Sequence, residues 1–162
     1  MQLGAASIRY EVLQECKAYV ESRSFLIVTR RSPVQAPKDP TLYERLGGAY
    51  RIAILVDDFV DRIMSDSRLE ANPRVKEANA RMSKPGFKYI VTEMTCWATG
   101  GPQTYTGREM GESHKHLMIT EAEWESFMDD FQQALDQCNV RAPEQRELIA
   151  LLESSKRAIV VA

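Results

Sequence analysis

The chain has 162 residues, the length of one domain and enough for a core that could enclose a cofactor. Its 21 basic and 23 acidic residues are nearly balanced and form no basic stripe, so nucleic acid is not an expected partner. The longest apolar run, Phe25–Val28, is too short to cross a bilayer, and the first residues lack a secretory pattern. Three widely spaced cysteines favour free thiols in a reducing compartment. We therefore expect no membrane partner and a cytoplasmic location.

Residues 1–40 differ in character from the rest of the chain. They end in three prolines between residues 33 and 40, among mixed charges, which indicates a linker. A weak apolar stripe at helical spacing precedes it and consists of Ile8, Val12, Cys16 and Val20. This stripe could be a short helix that lies on the body of the protein or part of a mobile extension, and both alternatives stay open. We predict an N-terminal extension over 1–40 and one domain over 41–162.

From residue 41 onward the apolar periodicity is almost wholly helical. One apolar face kept up for three turns predicts a first long helix, with Ile52, Leu55, Val56, Phe59, Val60, Ile63 and Met64. Pro73 interrupts the pattern and a polar stretch from Arg74 to Lys84 follows. A second helix then carries Phe87, Ile90, Val91, Met94 and Ala98 on one face, and Gly100-Gly101-Pro102 ends it.

Two further helices are predicted towards the C-terminus. Thr120 and Glu123 form a capping box before a helix with Trp124, Phe127, Met128, Phe131 and Leu135 on its apolar side. Pro143 suits the first turn of a last helix, whose inward residues are Leu148, Leu151, Leu152 and Ile159. Because no stretch of the body alternates as a half-buried strand would, the fold class is all-α.

The only two histidines, His114 and His116, stand two residues apart. On a helix, Met110, His114 and Leu117 share one face, whereas His116 lies about 200° round from His114. The two imidazoles could not then bind one metal, and this spacing argues against a zinc site. It suits a single inward ligand such as the neutral imidazole that holds haem iron. Periodicity alone favours the alternative, a hydrogen-bonded core histidine.

Several runs of this sequence resemble the group I truncated haemoglobins. They are Leu42-Tyr-Glu-Arg-Leu-Gly-Gly48, Val56-Asp-Asp-Phe59, Ala98-Thr-Gly-Gly-Pro102, Tyr105-Thr-Gly-Arg108, Met110 and Ser113-His-Lys-His-Leu-Met-Ile-Thr120. The likeness covers residues 41 to about 160, in order and with similar spacing. It implies a shortened globin fold, a two-over-two helical sandwich around one haem b whose iron is held by a proximal histidine. By motif position that histidine is His114.

The resemblance also implies the residues that surround the haem. Those similar to the proximal side and haem edge are Tyr105, Met110, Leu117 and Ile119. On the distal side Val60 follows Phe59 at the family's tyrosine position, and the family's polar distal positions map onto Phe87, Ile90 and Val91, with Met94 on the same face. Candidate cations for the haem propionates are Lys84, Lys88, Arg108 and Lys115. The glycine pairs, Gly47-Gly48 and Gly100-Gly101, would permit the turns and close contacts of so short a globin.

The function implied by the resemblance is reversible binding of a diatomic gas, namely oxygen, nitric oxide or carbon monoxide. An apolar distal pocket gives oxygen no hydrogen-bond donor, so carbon monoxide and nitric oxide should fare well relative to oxygen. Oxygen binding or nitric oxide detoxification is the expected role, and nitric oxide dioxygenase activity would need electrons from an unknown reductase. The alternative is a haem-free globin-like module for protein interaction or signalling.

Overall fold

The computed structural model describes residues 39–161. The predicted N-terminal extension and its apolar stripe lie outside this range, apart from residues 39 and 40. The helices of the described part are α1 Leu42–Arg45, α2 Gly48–Ile63, α3 Ser67–Glu70, α4 Pro73–Arg81, α5 Lys84–Ala98, α6 Met110–His114, α7 Glu121–Gln137 and α8 Ala142–Ile159, with a 3-10 turn at Lys115–Leu117. Within residues 39–161 no helix is long and apolar enough to cross a membrane.

The two long helices predicted around Phe59 and Ile90 are confirmed as α2 and α5. Helix α2 packs against α5 on one side and against α7 on the other, while α8 packs on α7 and α1. One core cluster joins α1, α2, α7 and α8 and contains Leu42, Leu55, Phe59, Phe131, Ala134, Leu135 and Leu148. A second lies between α2 and α5 and contains Ile52, Val56, Val60 and Cys96. The domain is all-α with a two-over-two arrangement, as predicted.

The predicted helix signals towards the C-terminus are also confirmed. The Thr120 side chain accepts from the backbone of Glu123 and the Glu123 carboxylate accepts from the backbone of Thr120, so both halves of the capping box start α7. Pro143 lies in the first turn of α8. After α5 the chain turns at Gly100, whose φ is +86°, and a Cβ at Gly101 would lie 2.7 Å from the Cys96 carbonyl oxygen. These two glycines therefore make the turn that the sequence indicated.

The polar stretch after Pro73 is helical, which the sequence analysis did not foresee. Pro73 occupies the first turn of α4, and the Asn72 side chain caps it by accepting from the backbone of Arg74. The helix has no buried residue. Its apolar side chains are few, so its pattern is weak, but Val75, Ala78 and Met82 recur at helical spacing along one side.

The segment with the histidines is shorter than one continuous helix. Helix α6 ends at His114, and the chain tightens into the 3-10 turn before Met118, whose φ of +54° is left-handed. An isolated parallel bridge then joins Ile119 to Val160, just beyond the end of α8. The predicted spacing of Met110, His114 and Leu117 thus spans two types of helix.

Candidate functional site

A cavity of about 970 Å³ lies among α2, α4, α5, α6, α7 and α8. Small-molecule sites usually occupy roughly 300–1,000 Å³, so this cavity has room for a large cofactor. Its walls are largely apolar and include aromatic side chains such as Phe59, Trp124 and Phe127. Trp97 and Leu151 also line it, although 57% and 39% of their surfaces are exposed to solvent. A flat apolar group in the cavity would cover this exposed apolar surface.

The cavity brings together all but two of the site residues expected from the sequence. Those that line it are Phe59, Phe87, Ile90, Val91, Met94, Tyr105, Met110, His114, Leu117 and Ile119. They come from α2, α5, α6 and the segments on either side of α6. The two that do not line it are Val60 and Lys88.

Val60, expected on the distal wall, does not line the cavity. Its side chain is completely buried in the cluster between α2 and α5, and Phe87 and Val91 pack against that cluster. Val60 therefore packs behind the residues that line the cavity. The α2 side chains that line it include Val56, Phe59 and Ile63. The motif position located the correct helix but not the side that faces the cavity.

Lys88, expected to face the cofactor, does not line the cavity either. Its ammonium group lies 2.6 Å from Asp57 and 2.9 Å from Asp61, both on α2, and these carboxylates raise the pKa of Lys88. Lys84 forms a 3.0 Å ion pair with Asp61 in the same way. These lysines tie α5 to α2 instead. Of the four cations considered for the propionates, Arg108 is the one that lines the cavity.

His114 is half-buried on the cavity wall, and its ring is fixed by its own helix. The Nδ1 atom lies 2.9 Å from the carbonyl oxygen of Met110. A carbonyl can only accept, so Nδ1 carries the proton and donates. In a neutral imidazole the other nitrogen, Nε2, then has its lone pair available. A histidine that binds a metal commonly has this arrangement, in which the second ring nitrogen donates to a carbonyl.

His116 does not face fully away from the cavity, which corrects the opposite-face prediction. It is exposed, yet it borders the same cavity. The prediction assumed a continuous α-helix, whereas α6 ends at His114 and the following residues form a tighter turn. The backbone carbonyl of His116 accepts a 3.2 Å hydrogen bond from Arg74.

Tyr105 borders the cavity on the approach to α6. Its hydroxyl donates a 2.9 Å hydrogen bond to the carbonyl of Arg108, and its ring lies 6.3 Å from that of Trp97. Burial, and secondarily the charge of Glu93, raises the pKa of Tyr105. Glu93 on α5 accepts hydrogen bonds from the backbone and hydroxyl of Thr106, so the same loop is tied to α5.

Helix α4 forms a part of the cavity wall that the sequence pattern did not predict. Val75, Ala78 and Asn79 line the cavity, and Met82 follows them just beyond the helix. Their spacing was the available signal, but the polar composition of the stretch concealed it. Trp97 was not predicted either, because it lies beside the predicted apolar face of α5, yet it lines the cavity.

The residues present fit haem in four respects. The cavity is large and mostly apolar, as a porphyrin requires, and it has an imidazole whose Nε2 is available. Arg108 supplies a cation for a propionate at the same cavity. The apolar surfaces of Trp97 and Leu151 are exposed in the protein alone and would be covered by the ring.

Comparisons of the sequence and of the fold with known proteins agree with one another. A sequence model of the bacterial-like globin family matches residues 41–161. A group 1 truncated haemoglobin of Synechocystis sp. is 35% identical over 79 residues, which are 48% of this chain and 58% of that protein, so less than two thirds of its length is spanned. One from Tetrahymena thermophila is 22% identical over 120 residues, which are 74% of this chain and 94% of that protein. The crystal structure of truncated haemoglobin from Tetrahymena pyriformis in the Fe(III) form matches with a TM-score of 0.65 at 21% identity, over 76% of this chain and 100% of that one.

The chain therefore belongs to the bacterial-like globin family. The predicted resemblance to the group I truncated haemoglobins and the predicted two-over-two fold are confirmed. Haem iron is the cofactor of this family, and gas binding at the haem is its general function.

Proposed function

We propose that this protein binds haem b through Nε2 of His114 and reversibly binds a diatomic gas at the iron that His114 would hold. The observation that carries the proposal is the 2.9 Å contact between His114 Nδ1 and the Met110 carbonyl on the wall of a cavity of about 970 Å³. That contact requires the tautomer in which Nε2 carries no proton, and it orients the imidazole ring through a backbone carbonyl of the same helix.

When bound, haem supplies an iron with one open coordination position for the gas. His114 would hold the iron, and Arg108 would pair with a propionate at the cavity. Phe59 and Phe127, whose rings are 5.2 Å apart and edge-on, would pack against the porphyrin and help to exclude water.

The identity of the gas is the finer part of the proposal. Of the cavity-lining side chains of α5, Phe87, Ile90, Val91 and Met94 have no hydrogen-bond donor, whereas Trp97 carries an indole N–H and is 57% exposed to solvent. Thr95 also lines the cavity, but its hydroxyl donates to the carbonyl of Val91 at 2.8 Å. Oxygen needs such a donor more than carbon monoxide or nitric oxide does. We infer that this wall favours carbon monoxide and nitric oxide relative to oxygen.

Nitric oxide detoxification is one use of such a site. It requires oxygen and an electron source, so an external reductase is part of this proposal. The haem-free alternative is disfavoured because a cavity of about 970 Å³ with apolar walls would leave a large part of the interior without packing partners.

The test is haem binding by three forms of the protein. Haem is added to the wild type, His114→Ala and His116→Ala, and absorbance in the violet haem band is recorded. The wild type and His116→Ala should retain haem through a desalting column. His114→Ala should lose most of it, because the ligand is gone while the cavity remains.

A rescue experiment separates loss of the ligand from loss of the fold. Imidazole added to His114→Gly should restore the absorbance band, since free imidazole can occupy the space left by the side chain. Equal haem retention by His114→Ala and the wild type would overturn the assignment of His114. Loss of haem from His116→Ala alone would assign the iron to the other histidine.

A further inference from the structure

The short helix that carries His114 needs support from outside. Helix α6 has only 5 residues, which is too few for a helix to be stable by itself. The Met110 carbonyl that fixes the imidazole belongs to this helix. Any movement of α6 or of the following 3-10 turn would therefore move the imidazole and its partner together.

Two side chains at the start of α4 hold the turn immediately after His114. Nδ2 of Asn72 donates a 3.1 Å hydrogen bond to the carbonyl of Leu117, and Nη1 of Arg74 donates a 3.2 Å bond to the carbonyl of His116. Asn72 has a second role, because its Oδ1 accepts from the backbone of Arg74 at 2.9 Å and caps α4. One half-buried amide thus joins the start of α4 to the turn after His114.

The backbone next to these bonds is strained, as a segment held from two sides would be. Met118 has a φ of +54°, which a residue with a Cβ seldom adopts. On its far side, the carbonyl of Ile119 accepts a 2.9 Å hydrogen bond from the backbone of Val161. Such a conformation persists only where its surroundings impose it, and here both flanking carbonyls have fixed donors.

We propose that Asn72, assisted by Arg74, is a positioning residue for His114. The proposal rests on the assignment of His114 as the iron ligand. Because Val75, Ala78 and Asn79 of α4 line the cavity, the same helix contacts the cavity and holds the turn after the histidine. Helix α4 and its N-cap thereby connect the cavity wall to the turn that follows the histidine.

The variants that test this role keep the helix cap and remove the donor. Asp and Ser are good N-cap residues, so Asn72→Asp and Asn72→Ser leave α4 capped. The ionised carboxylate of Asn72→Asp has no donor, and the hydroxyl of Asn72→Ser is one bond shorter than the amide nitrogen that donates to Leu117. Arg74→Ala removes the second bond. Lys76→Ala is the matched control, since Lys76 is an exposed cation on the same helix.

Two measurements on the full-length protein give separate readouts. Hydrogen exchange of the backbone amides of residues 115–119 should become roughly two- to tenfold faster in both Asn72 variants, as expected for loss of one hydrogen bond. The iron–histidine stretching band in the resonance Raman spectrum of the ferrous protein should shift or broaden. Arg74→Ala should give a smaller change of the same kind, and Lys76→Ala should match the wild type.

The outcomes distinguish this inference from the proposed function. An iron–histidine band that is present in the wild type and unchanged in both Asn72 variants would overturn the positioning role alone. A wild type without any such band would overturn the assignment of His114 and this inference with it. Unchanged exchange of residues 115–119 in the Asn72 variants would also contradict the positioning role.

Discussion

The histidine segment, residues 105–119, and the distal wall, helix α5, border the same cavity but are held in place differently. In the histidine segment, directional hydrogen bonds fix individual groups: the His114 ring to Met110, the Tyr105 hydroxyl to Arg108, and the Leu117 carbonyl to Asn72. On α5 most of the cavity-lining side chains are apolar, and Phe87 and Val91 pack on the buried cluster shared with α2.

This difference follows from what each side must do. A metal ligand has to present one atom in one direction, which hydrogen bonds can enforce. An apolar wall has only to fill space and exclude water, and volume-conserving changes are tolerated there. Substitutions in the histidine segment should therefore act by changing the orientation of the metal ligand. Substitutions on the distal wall should act by changing the polarity of the cavity.

Buried polar contacts away from the cavity should affect folding without affecting haem. Asp130 on α7 is 6% exposed and does not line the cavity, and burial raises its pKa to about 6 from 3.8. Because the folded state holds this proton more tightly, the stabilisation is complete below pH 3.8 and is lost as the pH rises towards 6. The shift corresponds to a loss of up to about 3 kcal/mol in the free energy of unfolding.

Urea unfolding of the wild type and Asp130→Asn between pH 4 and 7 measures this effect. The difference in stability between the two proteins should change across that range in favour of the variant at higher pH, while their haem release rates stay alike at each pH. A haem release rate that changes with the titration of Asp130 would show that this buried carboxyl affects the haem site as well as folding.

A hydrogen-bond donor placed on the distal wall should slow oxygen release. Ile90→Gln puts an amide where Ile90 now lines the cavity. A hydrogen bond to the partly charged oxygen ligand contributes about 1.5–3 kcal/mol, so oxygen dissociation should slow roughly ten- to a hundredfold. Carbon monoxide dissociation should change much less. Stopped-flow measurement of both rates checks this prediction.

Ile90→Leu is the matched control, because it conserves volume and polarity and should leave both rates close to those of the wild type. Slow oxygen release by the wild type, unchanged by Ile90→Gln, would contradict the apolar-wall account. Asn79, the amide on the α4 side of the cavity, would then be the first side chain to replace.

One glycine from each region gives a direct comparison of tolerance. A Cβ at Gly107 would lie 2.2 Å from the Tyr105 hydroxyl oxygen, so Gly107→Ala forces the tyrosine ring to move. We expect Gly107→Ala to lower the free energy of unfolding, measured by thermal or urea unfolding, by about 1–3 kcal/mol. Gly86→Ala, at the start of α5, meets Ser83 only at 3.6 Å and should be neutral or stabilising by about 0.4–1 kcal/mol. Equal effects would show that the histidine segment is no more tightly constrained than the distal wall.

The smallest effect is expected from removal of residues 1–38. The strong helical periodicity and the family match both begin after residue 40. The truncated protein should bind haem and release gas as the full chain does. Insoluble or haem-free protein would instead show that the stripe of Ile8, Val12, Cys16 and Val20 covers part of the globin domain.

Strong local signals made most of the fold predictable. The apolar face of α2, the capping box at Thr120 and the proline in the first turn of α8 each specify a helix or its start from neighbouring residues alone. Helix α4 was missed because its few apolar residues contact the cavity and not a buried core, so the pattern was weak.

The two expected site residues that do not line the cavity are residues whose positions depend on contacts between helices. Lys88 pairs with Asp57 and Asp61 because α5 lies beside α2 in one particular register, which the sequence of α5 does not contain. Val60 is turned into the interface between α2 and α5, a rotation that depends on the same packing. His114 was identified correctly as a cavity residue because its neighbours are three and four residues away on the same short segment.

The proton on the His114 ring tests the central claim most directly. Nitrogen-15 NMR of the histidine side chains in the ferrous protein saturated with carbon monoxide, which is diamagnetic, distinguishes the two ring nitrogens. Because the chain has two histidines, His116→Ala is enough to assign the signals. We predict that His114 carries its proton on Nδ1, bonded to the Met110 carbonyl, while Nε2 is bound to iron. A proton on Nε2 of His114, or an iron-bound signal that disappears in His116→Ala, would contradict the account.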